Sequence, residues 1–181
     1  MKRYILTGAP GSGKTSILQV LKHQGYGVVE EAATDIIALE QRHGNLEPWR
    51  QPDFIDNIVR LQKQRQITTA TQPQTLQFYD RSPLCTYALS LHLGYPPSPK
   101  LLEELERMER EQIYQQQVFF IDHLGFIEPT EARKISFEDS LRFEQIHRET
   151  YVAFGYDCIH IAPQPLAERV ARITEMLELN R

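Results

Sequence analysis

Three glycines, a lysine and a threonine fall within the eight residues Gly8-Ala9-Pro10-Gly11-Ser12-Gly13-Lys14-Thr15, just after the apolar stretch Tyr4-Ile5-Leu6. Glycine carries no Cβ, so successive backbone N–H groups can turn inward and converge on an anion. A helix opening at Lys14 adds the partial positive charge of its N-terminus. The spacing GxxxxGK[ST], placed after a strand and before a helix, is that of a P-loop cradling the phosphates of a nucleoside triphosphate. In that arrangement Lys14 reaches the β and γ phosphates, the Thr15 hydroxyl coordinates Mg²⁺, and Ser16 continues the first helical turn beside them. No guanine-reading NKxD motif is visible near the last strand, which leans the expectation towards ATP.

Carboxylates and cations gather at the ends of three other apolar runs. Asp80-Arg81-Ser82 follows Thr75–Tyr79; the acid can hold a Mg²⁺-bound water and the guanidinium can grip a phosphate or carboxylate as a fork. Asp122 follows Val-Phe-Phe-Ile and competes for the magnesium role, and periodicity does not choose between the two acids. Glu30-Glu31 follows the second run. One of the pair can face a cleft and take a proton from a hydroxyl, while an acidic helix start is the plainer reading. Further on, residues 128–142 carry Arg133 and Lys134 after a proline loop. A basic segment there reads as a lid that closes over a triphosphate, excludes water and neutralises transferred charge. Arg148 reads instead as part of a charged helix face, and Trp49 as a packing aromatic or a stacking platform.

Short apolar strands alternating with helical periodicity must position these groups. Strands are expected at 2–7, 26–29, 75–79, 118–121 and 156–161. Helices are expected at 14–24, 34–43, 54–71, 83–93, 101–117, 137–154 and 165–179, with the prolines of 94–99 excluding helix there. This alternation makes an α/β fold, a parallel sheet with helices on both faces, in which ligands bind beyond the carboxyl ends of the strands.

The 181 residues suit one compact domain spanning 1–181. A net charge of −4 supplies no general field for nucleic acid or anionic membrane, so neither is expected as a partner. The two cysteines, Cys85 and Cys158, lack any zinc or redox spacing and are expected to be reduced; the six histidines show no metal spacing either. The amino terminus has no secretory pattern and no apolar run reaches membrane-spanning length, so a cytoplasmic location is expected.

Taken in order, GAPGSGKT, VVEEAATDII, FYDRSPLCTYAL, the EARK segment and GYDCIHIAPQPLAERVARI resemble the AAA-type P-loop family that contains the nicotinamide-riboside kinase domain. That family is related in fold to the thymidylate and deoxynucleoside kinases. The resemblance implies a nucleotide-kinase-like P-loop fold with strand order 2-3-1-4-5. It implies Lys14 and Thr15 at the phosphates and Mg²⁺, Glu31 as the acid after strand two, Asp80 and Arg81 as the DR pair, and Arg133 in the lid. The implied order sets strand three beside the P-loop strand and so favours Asp80 over Asp122 for magnesium. Two positions depart from the family pattern: Thr34 stands where an arginine is common, and Thr130-Glu131-Ala132-Arg133 where the lid often reads DGxR. Both lie where a substrate would be gripped, so nicotinamide riboside itself is not implied.

The expected activity is transfer of the γ-phosphoryl of ATP, with Mg²⁺, to a hydroxyl on a nucleoside- or nucleotide-like acceptor. Glu31 would serve the acceptor, Arg81 grip it and Arg133 stabilise transferred charge. The alternative is a nucleotide-dependent switch that binds and slowly hydrolyses ATP or GTP. Residues 34–71 discriminate: a kinase needs an acceptor pocket there, a switch an exposed responsive face.

Overall fold

The computed structural model describes residues 1–125 and 136–179. Five parallel strands, β1 (Lys2–Thr7), β2 (Gly27–Val29), β3 (Leu76–Asp80), β4 (Gln117–Ile121) and β5 (Asp157–Ile161), form one sheet in the order β2-β3-β1-β4-β5. Ile5 of β1 lies opposite Tyr79 on one side and Val118 on the other, so the P-loop strand is central. Order and class are those the sequence and its resemblance imply.

Side chains alternate across the strands, and this alternation divides the core in two. Tyr4, Leu6, Phe78, Phe119, Ile121 and Ile161 face helices α1 (Lys14–His23) and α7 (Leu166–Leu179), packing against Ile17, Leu21 and Ile173. Burying an aliphatic side chain of this size contributes about 1.5–3 kcal/mol. Those contacts anchor α1, whose first turn is the end of the P-loop. On the other face Ile5, Tyr79 and Val118 meet α2 (Ala32–Arg42), α3 (Phe54–Thr69), α4 (Pro83–His92), α5 (Pro99–Arg110) and α6 (Phe137–Ala153).

Most element boundaries lie within two residues of the sequence reading, and the largest departure is at α5. The helix expected over 101–117 starts earlier, at Pro99, because proline is tolerated at the first helical position and the Ser98 hydroxyl accepts from the Leu101 N–H at 3.2 Å. It also stops earlier. Gln112 takes a left-handed φ of 46°, and the Ile113 N–H returns to the Met108 carbonyl at 3.1 Å, so Ile113 and Tyr114 fold back into the core. A short 3-10 turn, Pro48–Arg50, interrupts the loop between α2 and α3 and brings Trp49 against the core.

Candidate active site

The phosphate loop is built by backbone conformations that only glycine holds without strain. Gly8 sits at φ 133°, and a Cβ there would lie 2.3 Å from the Ile121 carbonyl oxygen. The loop can therefore leave β1 only by pressing its backbone against the end of β4. Gly13 has φ 85° and begins α1. The buried Lys14 ammonium turns onto its own loop, donating to the carbonyls of Gly8 at 3.1 Å and Ala9 at 2.9 Å and to the Ser12 hydroxyl at 3.2 Å.

Across the sheet edge, β3 ends in a kink. The Arg81 N–H continues the ladder to the Leu6 carbonyl at 3.0 Å, but Arg81 itself takes φ 71°, a left-handed conformation that costs a non-glycine residue roughly 1–2 kcal/mol. The kink starts α4 at once, with the Ser82 hydroxyl accepting from the Leu84 N–H and Pro83 at the first helical position. What holds Arg81 in place is its side chain. Its Nε lies 2.6 Å from Glu31 Oε1 in an ion pair, Nη1 donates to His147 Nε2 at 3.0 Å, and the guanidinium lies 5.9 Å from the centre of the Phe143 ring. Burial to 9% exposure would lower the Arg81 pKa, but the Glu31 carboxylate beside it reverses this and holds it above the usual guanidinium value.

Glu31 has a second partner: its Oε2 accepts from the Thr34 hydroxyl at 2.8 Å. The threonine that departs from the family pattern thus helps fix the acid. On the far side of Arg81, the His147 Nδ1–H donates to the Phe143 carbonyl at 2.8 Å, leaving Nε2 as acceptor. His147 is completely buried, and burial followed by the charge of Arg81 pushes its pKa well below the ordinary histidine value, so the ring is neutral. Behind them the Tyr151 hydroxyl joins Ser82 Oγ at 2.7 Å and Cys85 Sγ at 3.1 Å, which ties α6 to the start of α4.

Part of this network borders a cavity of about 350 Å³ that opens beside Pro10 of the phosphate loop. Glu31, Thr34 and Arg81 stand on its lining, Trp49, Phe54 and Phe143 supply aromatic walls, and Gln62 and Thr86 supply polar groups. The Gln62 carbonyl oxygen is occupied by the Thr86 hydroxyl at 2.9 Å, which leaves the amide N–H groups to donate. The cavity occupies the region between α2, α3 and α4, where an acceptor pocket is required of a kinase.

Thr15 and Asp80 line a second, open groove between α1 and the start of α2, together with Glu30, Glu31, Thr34 and Asp35. Asp122 lies on the opposite side of the P-loop strand, with its Oδ1 2.7 Å from His160 Nδ1. Among the described residues no three His, Cys, Asp or Glu side chains converge as a metal site. Of the lid expected over 128–142, residues 128–135, with Arg133 and Lys134, lie outside the described residues; 136–142 form the capped start of α6, with the Asp139 N–H donating to the Ser136 hydroxyl.

The sequence reading did not single out His147, Gln62, Thr86 or Phe143. For Gln62 a signal existed: it continues the Ile55, Ile58, Val59 spacing that faces the core on α3. His147 had none, since its partner is 66 residues away.

A central strand, a phosphate loop and an acid–arginine pair at the neighbouring strand end define a P-loop protein of kinase-like fold. The chain belongs to the AAA domain family, whose pattern matches residues 3–169. Among solved structures it is similar in fold to a deoxyadenosine kinase from M. mycoides, described with the products dCMP and a flexible dCDP bound. The TM-score is 0.61 and the identity 13%, over 97% of this chain and 98% of that one. No curated protein matches the chain in sequence. Among the described residues no helix is long and apolar enough to cross a membrane.

Proposed function

We propose that this protein is a small-molecule kinase that passes the γ-phosphoryl of ATP to the hydroxyl of a ring-bearing, nucleoside-like acceptor carrying no phosphate. The observation that carries this reading is the cavity beside Pro10, with the Glu31–Arg81 ion pair at its lining. Its volume of about 350 Å³ lies within the roughly 300–1,000 Å³ typical of small-ligand sites. Aromatic walls suit a planar ring, and the Gln62 amide N–H groups suit a ring carbonyl or ring nitrogen. Among the described residues the lining holds two carboxylates, Glu31 and Asp139, against one guanidinium already paired with Glu31. A phosphorylated acceptor would enter that lining against its charge.

In this reading the loop residues 8–16 hold the triphosphate, and Lys14 swings from its own carbonyls onto the β and γ phosphates. Thr15 and Asp80 are two oxygen donors on one groove, which fits the habit of Mg²⁺ to take one or two protein oxygens and complete its shell with phosphate and water. Glu31 receives or orients the acceptor hydroxyl, Arg81 fixes the carboxylate, and Arg133 is the proposed cation of the lid. Since residues 34–71 contribute a pocket rather than a flat exposed face, the kinase reading is favoured over a nucleotide switch.

The test is to incubate the protein with ATP and Mg²⁺ and a panel of nucleosides, nucleoside monophosphates and cofactor precursors, reading products by mass. Expected is one or more unphosphorylated acceptors gaining a phosphoryl group, with no monophosphate gaining one. Exclusive phosphorylation of monophosphates reverses the charge argument. No product, with a protein partner captured only by the ATP-loaded form, replaces the kinase by a switch.

A further inference from the structure

Arg169 lies in the first turn of α7, where a cation opposes the helix dipole and is locally unfavourable. It is also 4% exposed, and burial lowers its pKa. It makes no ion pair, and its Nε has no hydrogen-bond partner, among the described residues. A guanidinium buried with no counter-ion among the described residues, and placed against the helix field, needs another reason to be there. The reason lies in its one strong contact: Nη1 donates to the Ser12 carbonyl oxygen at 2.7 Å, and Nη2 comes so close to Gly13 that a Cβ there would sit 2.5 Å from it.

We propose that Arg169 is a positioning residue for the phosphate loop, gripping it from behind so that the Ser12–Gly13 peptide presents its N–H to the bound phosphates. The geometry follows from the peptide unit. A trans peptide is planar, with its C=O and the following N–H pointing in opposite directions. Every peptide among the described residues is trans. A Ser12 carbonyl held outward by Arg169 therefore aims the Gly13 N–H inward. Without that bond the peptide can flip, because glycine at φ 85° has wide conformational freedom. The charge acts in the same direction: Arg169 and Lys14 place fixed positive charge beside a loop that must attract an anion.

This proposal rests on the reading of residues 8–16 as a phosphate cradle, but not on any acceptor, so pyrophosphate with Mg²⁺ is the probe. Its binding is measured by calorimetry to the full chain and to its Lys14→Ala, Arg169→Met and Arg169→Lys variants. The wild type should bind. Arg169→Met should bind about tenfold more weakly or worse, the scale of one lost charge-assisted hydrogen bond, and Arg169→Lys should recover most of the loss. If the wild type does not bind pyrophosphate, the cradle reading fails. If the wild type binds and a folded Arg169→Met binds within about twofold of it, the cradle stands and the role of Arg169 is overturned. Should Arg169→Met not fold, glycine-labelled wild-type protein decides. The Gly13 amide resonance should shift strongly on adding pyrophosphate, and a Gly13 resonance that stays in place overturns the proposal.

Discussion

His147 accepts a hydrogen bond from Arg81 at 3.0 Å and can do so only while its ring is neutral. Protonation would set two cations in contact in a fully buried place. The folded protein therefore takes up the proton at lower pH than the unfolded chain, whose histidines titrate near the ordinary 6.5. His92 and His123 are shifted in the same direction, in both cases first by burial. Below pH 6.5 the unfolded chain binds more protons, so stability falls as the pH drops from there towards the folded value, and the stabilisation is fully present above 6.5. Urea midpoints followed from neutral pH down to about 5 should fall, and His147→Gln should show a shallower fall in that window. An unchanged slope would remove His147 from the account.

The same contact has a geometric side. His147→Ala would leave a buried Arg81 N–H without an acceptor, which costs about 1–3 kcal/mol, and would loosen the guanidinium that fixes Glu31. The protein should lose stability by that order, with the acceptor KM rising and ATP affinity held. A variant whose ATP affinity falls instead, measured by calorimetry, would show that the histidine supports the donor side.

The cavity beside Pro10, read as the acceptor site, predicts a separation of its own. Trp49 and Gln62 line the pocket and are not part of the phosphate loop. Trp49→Ala and Gln62→Ala should each raise the acceptor KM, by roughly tenfold for a lost stacking or hydrogen-bond contact, while ATP binding stays the same. Steady-state kinetics at saturating ATP, paired with ATP titrations, measures both.

Asp80 and Asp122 flank the P-loop strand on opposite sides, at the ends of β3 and β4. Asp80 shares a groove with Thr15, whereas Asp122 is held by His160. Asp80→Asn should therefore need more Mg²⁺ for half-maximal turnover than wild type, and Asp122→Asn should not. Magnesium titrations of the two variants that come out the other way would exchange their roles.

How much of this was legible in the sequence depends on the range of each contact. The phosphate loop could be read directly because a short apolar run, three glycines and Lys14-Thr15 are all local. The strand-end acids could be placed because an apolar run that stops at Asp80 or Asp122 marks where a strand ends. The C-terminal end of α5 could not, since Gln112 rather than a glycine takes the left-handed turn and the burial of Tyr114 decides it. Nor could Arg169, whose partner Ser12 is 157 residues away. In GYDCIHIAPQPLAERVARI it looks like any arginine on a solvated helix, and only the packing of α7 against α1 reveals it. Thr34 was visible only as a departure from a family pattern. Its bond to Glu31 turns that departure into a second anchor for the acid.

Glu31 then carries the sharpest test of the kinase reading. Its two oxygens are held by Arg81 at 2.6 Å and Thr34 at 2.8 Å, so the carboxylate has a fixed direction at the pocket lining. A carboxylate that serves the acceptor hydroxyl should be needed for transfer and not for donor binding. Glu31→Gln keeps the shape and removes the charge; it should bind ATP as wild type does and lose about 10²–10⁴ in kcat, the usual worth of a general base. Thr34→Val removes only the second anchor, and should give a smaller loss in kcat with the same ATP affinity. The order matters more than the size of either loss. Hydrolysis of ATP without acceptor should be slow in all three proteins, because water is not positioned as an acceptor hydroxyl would be. If Glu31→Gln instead abolishes acceptor-free hydrolysis while transfer persists, Glu31 directs a water molecule and does not serve the acceptor hydroxyl.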